Sequence, residues 1–104
     1  MIKRFALAGG LVALAAWTAA AATPPTLEIQ HFKFLPPALE VPAGTTVTWI
    51  NHDEETHTVT SATGAFTSQA LEHEQRFAHT FATPGTFTYF CALHPMMRAT
   101  VVVR

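Results

Sequence analysis

Beyond residue 22 the chain never runs far without a breaker: short stretches rich in Thr, Val, Ile and Phe recur between Pro, Gly and Asn, and no segment carries the apolar spacing of a long amphipathic helix. That pattern predicts an all-β fold, a Greek-key β-sandwich of short strands. Val47 and Trp49 alternate with Thr46, Thr48 and Ile50 up to Asn51, which places the first two in the core. Leu27 and Ile29 share one face of a first strand, whereas Phe32 and Phe34 fall on the opposite parity, so an extra residue near His31 predicts a β-bulge. Pro36-Pro37 closes that strand, and Pro42-Ala43-Gly44 and Thr83-Pro84-Gly85 read as turns. His57 opens a strand running to Ser61, and further strands are expected at Phe77 to Phe81, Thr86 to Phe90 and Ala99 to Val103. The stretch around Gly64 and Gln69 has the weakest pattern.

Ahead of this region the chain opens with Met1-Ile2-Lys3-Arg4, stays uncharged from Phe5 to Trp17, and then runs through Ala19 to Ala22. A basic start, an apolar middle and a small-residue exit predict a signal peptide helix over residues 1–22 and export to the periplasm. A membrane anchor is the other reading of Phe5 to Ala22; the Gly9-Gly10 pair and the small-residue exit favour cleavage, with no membrane contact afterwards. Residues 23–104 are then one domain of about 82 residues, monomeric and close to the size at which a lone hydrophobic core barely suffices. A bound metal would help it. Its cations, Lys33, Arg76, Arg98 and Arg104, face seven acids, a net negative balance that argues against nucleic acid as a partner.

Cys91 stands alone in a chain that reads as exported, which leaves a buried filler, an intermolecular bridge or a metal ligand. The surrounding run, Cys91-Ala92-Leu93-His94-Pro95-Met96-Met97, sets a thiol, an imidazole and a thioether between two expected strands. Extended, six residues would span about 20 Å, so these groups meet at one ion only if the loop curls back. A thiolate and two imidazoles in a plane, with a distant methionine sulfur, form the donor set of blue copper. The missing imidazole is assigned to His57, which begins a strand after a polar turn; His52, inside Asn51-His52-Asp53-Glu54-Glu55, reads as part of a solvated turn.

The chain resembles the cupredoxins, most of all the amicyanin and pseudoazurin types with short copper loops. The resemblance is carried by Phe32-Lys33-Phe34, Val47-Thr48-Trp49-Ile50-Asn51, the His57 strand, Pro84-Gly85-Thr86-Phe87-Thr88-Tyr89-Phe90-Cys91 and His94-Pro95-Met96-Met97-Arg98. It implies one type 1 Cu(I)/Cu(II) ion with His57, Cys91 and His94 as strong ligands and Met97 as the axial one, since in amicyanins the loop runs Cys, two residues, His, Pro, one residue, Met. Met96 is then a decoy, and with Ala92, Leu93 and Pro95 it supplies an apolar patch around His94 through which electrons pass. The implied partners are redox proteins such as a quinoprotein dehydrogenase or a c-type cytochrome, docking around His94. Thr56 and Thr58 depart from the Pro and Asn common at those positions in amicyanins, which leaves the hydrogen bonding near Cys91 open.

Taken singly, each ligand has a plainer reading as core or surface; order and loop length together point to metal. His79, between Phe77 and Phe81, is expected to be interior or partly buried with one hydrogen-bond partner, His31 and His73 at the surface, and Asp53-Glu54-Glu55 a solvated turn with docking to a basic partner as its functional reading. The expected function is one-electron transfer without catalysis. A periplasmic copper chaperone or buffer is the alternative, and zinc fits the same donors. A multicopper enzyme lacks its additional paired histidines, and a cysteine hydrolase on Cys91 and His94 lacks room for base, oxyanion site and cleft.

Overall fold

The computed structural model describes residues 23–104; the expected signal helix, residues 1–22, lies outside the described residues. Eight strands follow one another: β1 (Thr26–Gln30), β2 (Lys33–Leu35), β3 (Ala38–Val41), β4 (Thr45–Asn51), β5 (Thr60–Ser61), β6 (Arg76–Phe81), β7 (Gly85–Phe90) and β8 (Arg98–Val103). They build two four-stranded sheets, ordered β2-β1-β4-β6 and β3-β8-β7-β5. Among the described residues no helix is long and apolar enough to cross a membrane. The all-β sandwich is therefore the observed architecture. Two pairings, β1 with β4 and β3 with β8, are parallel. Parallel neighbours cannot be joined by a tight hairpin, so the chain leaves the first sheet after β2, enters the second as β3 and returns as β4.

Inward-facing side chains of both sheets make one core: Leu27, Ile29, Val47, Trp49 and Phe81 from the first, Val41, Tyr89, Val101 and Val103 from the second. Trp49 is its centre, edge-on to Tyr89 with ring centroids 5.4 Å apart and tilted against Phe77 at 5.7 Å and Phe66 at 6.0 Å. Each such aromatic pair contributes about 0.5–1.5 kcal/mol beyond its burial. Burial pushes the Tyr89 phenol up to about 12, with the nearby Trp49 indole pulling the other way. Neither polar atom has a hydrogen-bond partner of good geometry among the described residues.

Two local expectations are corrected. The parity change at His31 comes from a turn instead of a bulge: β1 ends at Gln30, which pairs with Lys33 of the antiparallel β2. His31 and Phe32 are the two turn residues, with φ of 55° and 58°, the doubly positive pattern of a type I′ hairpin. Phe34 therefore faces the core, whereas Phe32 is 42% exposed at the tip. The strand expected from His57 is also shorter, reduced to Thr60 and Ser61 plus an isolated bridge between His57 and Leu71. The backbone N–H groups in between are drawn elsewhere, Thr58 to the Cys91 sulfur and Val59 to Ser68 Oγ.

Candidate metal centre

The antiparallel pair β7 and β8 closes at Phe90 and Arg98, leaving residues 91–97 as a loop at one end of the sandwich. Three hydrogen bonds wind it up: His94 N–H to Cys91 O at 3.2 Å, Met97 N–H to His94 O at 2.9 Å, and Cys91 N–H to Met97 O at 3.1 Å. The last brings residue 97 back beside residue 91, as convergence on one ion requires. The winding also separates the two methionines, since Met97 is 3% exposed and Met96 is 88% exposed.

His57 reaches the loop from the segment between β4 and β5. Its antiparallel bridge to Leu71, N–H to O at 3.1 Å and the reverse at 2.8 Å, fixes its backbone, and the side chain is wholly buried. The Cys91 sulfur lies 3.7 Å from His57 Nδ1 and 3.8 Å from His94 Nδ1, and the three donor atoms all fall within 4.8 Å of one another. Nitrogen and sulfur donors about 2.1 and 2.3 Å from a first-row ion, spaced evenly in a plane, stand about 3.8 Å apart. Both sulfur–nitrogen separations match that spacing, so the cluster can hold a single ion. Its soft thiolate and two imidazoles suit copper or zinc and not a hard oxygen-seeking cation.

Around these donors lies a shell that sequence reasoning only partly reached. Thr58 gives its backbone N–H to the Cys91 sulfur at 3.3 Å, and its hydroxyl accepts the Ala92 N–H at 2.7 Å, so one residue ties the His57 segment to the Cys91 loop. Asn51, fully buried at the end of β4, donates through Nδ2 to the carbonyls of Glu55 and Leu71, both at 2.8 Å, and accepts the Asp53 N–H at 2.9 Å. Asp53 does not belong to a merely solvated turn: its carboxylate meets His57 Nε2 at 2.8 Å. Burial raises the pKa of that carboxyl, but the amide of Phe32, the ring of His57 and the amide of His31 outweigh burial and leave it below its ordinary value. An ionised carboxylate only accepts, so the imidazole proton sits on Nε2 and the Nδ1 lone pair faces the sulfur. The available signal was the spacing of Asn51, Asp53 and His57, which read simply as polar.

The remaining histidines stay outside the cluster. His52 is partly exposed and pairs with Glu74 at 3.2 Å, and His73 approaches Glu54 and Glu74 at the surface. His79 is partly buried as expected, but it lies tilted against Phe66 at 4.8 Å and meets Phe81 edge-on at 4.7 Å, with no side-chain hydrogen bond among the described residues. Burial holds its pKa below the ordinary value.

A family profile described as a cupredoxin-like domain matches residues 4–103. This chain belongs to the cupredoxin family. It is 39% identical over 82 residues to an amicyanin of Paracoccus denitrificans, an alignment covering 74% of this chain and 63% of that relative's length. Among solved structures, a mutant of amicyanin in its Cu(I) form superposes with a TM-score of 0.74 at 34% identity, covering 83% of this chain and 88% of the other. A copper-containing nitrite reductase from Thermus scotoductus matches with the same TM-score of 0.74 at 29% identity, but the cupredoxin covers only 22% of that chain. Family and donor cluster together support one type 1 copper ion as the cofactor.

Proposed function

We propose that this cupredoxin is an exported, periplasmic carrier of single electrons, with residues 1–22 as its signal and residues 23–104 as the working domain. His57, Cys91 and His94 would hold the copper, with the buried Met97 thioether as the further donor. The carrying observation is the pair of sulfur–nitrogen separations, 3.7 and 3.8 Å, which match a trigonal site. Bound copper supplies a one-electron couple. The protein's part is to hold still: a buried imidazole pinned on both faces of its segment and a loop closed on itself change little when the ion's charge changes. The Cu(I) amicyanin structure supports the same ion here.

Electrons enter and leave beside His94. Phe32, Leu93 and Met96 are exposed around it, and a groove between the β1–β2 turn and the loop adds Leu35, Lys33 and Arg98. An apolar contact with two cations on its edge suits a redox protein, a quinoprotein dehydrogenase or a c-type cytochrome, in an encounter that must also dissociate. The chain spans 63% of the length of the Paracoccus relative. The test is to load the protein with Cu(II): an intense visible sulfur-to-copper band and a narrow parallel hyperfine splitting in electron paramagnetic resonance are expected, and Cys91→Ser abolishes both. An ordinary tetragonal copper spectrum in the unsubstituted protein would refute the reading. One observation favours a copper-handling role instead, the exposed thioether of Met96 beside the site. Rapid loss of Cu(I) to a chelator, without a reversible couple, would be its mark.

A further inference from the structure

The Asp53 side chain is only 10% exposed and joins two parts of the centre that are remote in sequence. Its Oδ1 accepts the His31 N–H at 2.8 Å, and its Oδ2 accepts both the Phe32 N–H at 2.9 Å and the His57 Nε2–H at 2.8 Å. Successive non-glycine residues with φ of 55° and 58° persist only where their surroundings over-determine them. Asp53 supplies that constraint by accepting both amides from just past the end of β4, the neighbour of β1 in the sheet. The turn it locks carries Phe32, whose ring stands edge-on to His57 and to His94 with centroids 5.0 Å away in each case. One carboxylate thus fixes the tautomer and angle of one imidazole and the ring that packs across both.

We propose that Asp53 is a positioning residue that sets the reduction potential of the centre. The inference rests on the copper reading above. A carboxylate accepting the far N–H of a ligating imidazole makes that imidazole a stronger donor. A stronger donor favours the more highly charged ion, so Asp53 holds the potential down. A residue that merely stapled the loop would destabilise both oxidation states alike when removed and leave their ratio untouched.

The experiment compares the copper-loaded full chain with Asp53→Asn and Asp53→Glu by reversible electrochemistry, and follows amide hydrogen exchange in the copper-free proteins. Asp53→Asn is expected to shift the Cu(II)-to-Cu(I) affinity ratio about tenfold toward Cu(I), a rise of about 59 mV for one electron. Asp53→Glu, which keeps the charge, recovers most of that shift. The His31 and Phe32 amides exchange slowly in the unsubstituted protein and rapidly in Asp53→Asn. A ratio moved less than twofold, or fast exchange of those amides in the unsubstituted protein, overturns the proposal. If Asp53→Asn does not fold, Asp53→Ser takes its place: it too removes the carboxylate and must raise the potential, and an unmoved Asp53→Ser potential overturns the proposal. Should the unsubstituted protein never turn blue, the copper reading fails and the potential claim falls with it; a blue protein with an unmoved Asp53→Asn potential sinks this inference alone.

Discussion

Replacing Asn51 by Leu keeps the bulk of a fully buried side chain and deletes three hydrogen bonds, to Glu55 O, to Leu71 O and from Asp53 N. At about 1 kcal/mol net for each bond, the loss comes to about 3 kcal/mol. Leu71 O keeps its bond from the His57 N–H at 3.1 Å, so the larger penalty of an orphaned buried carbonyl does not apply there. A domain of this size has about 4–12 kcal/mol of total stability, and a change of 1 kcal/mol moves its melting temperature by about 4–8 °C. The copper-free Asn51→Leu protein should therefore melt about 12–24 °C lower, read by circular dichroism and checked against the urea midpoint. A fall of less than about 4 °C would show that the network carries little energy and that the His57 segment is held by other contacts.

Further expectations concern titration and the two methionines. Because the folded pKa of Tyr89 is raised to about 12 from 10.0, the unfolded chain loses its phenol proton first as pH climbs, so stability is intact below pH 10 and drains away between 10 and 12. The loss is about 2–3 kcal/mol at 1.36 kcal/mol per pKa unit, and urea melts of Tyr89→Phe across that range should lack it. The His79 pKa is lowered from 6.5, so its neutral ring stabilises the fold above that value and the contribution disappears as pH drops through the folded pKa. His79→Gln should flatten the stability profile between neutral and mildly acid pH; an unchanged slope counts against burial as the cause. Met97→Ala should alter the visible spectrum and potential of the copper protein while Met96→Ala leaves both in place, and the reverse result would exchange their roles.

Some of this was legible in the sequence because it is local and periodic. Val47 and Trp49 announce an inward face by alternation, and both are fully buried. Cys91, His94 and Met97 announce a winding loop by spacing, and the backbone hydrogen bonds wind it. What stayed hidden has causes distant in the chain. A His-Phe pair carries none of the Asn-Gly chemistry of a type I′ turn, and the group that stabilises it, Asp53, lies 21 and 22 residues away. Asp53 itself looks like any acid in a polar run until the sheet brings that turn over it. Thr58 is hidden for the same reason: its backbone donor is diverted from strand pairing by a sulfur 33 residues on.

The pairing of Phe90 with Arg98 means that the ladder between β7 and β8 is complete before the ligand-bearing loop begins. Residues 91–97 form a closed parenthesis, tied mainly to itself and to Thr58, and no strand depends on their number for its register. Insertions or deletions between Cys91 and Met97 should thus respace the donors without unmaking the end of the sandwich beneath them. The electronic character of the centre and the durability of the sandwich are, to that extent, separate inheritances.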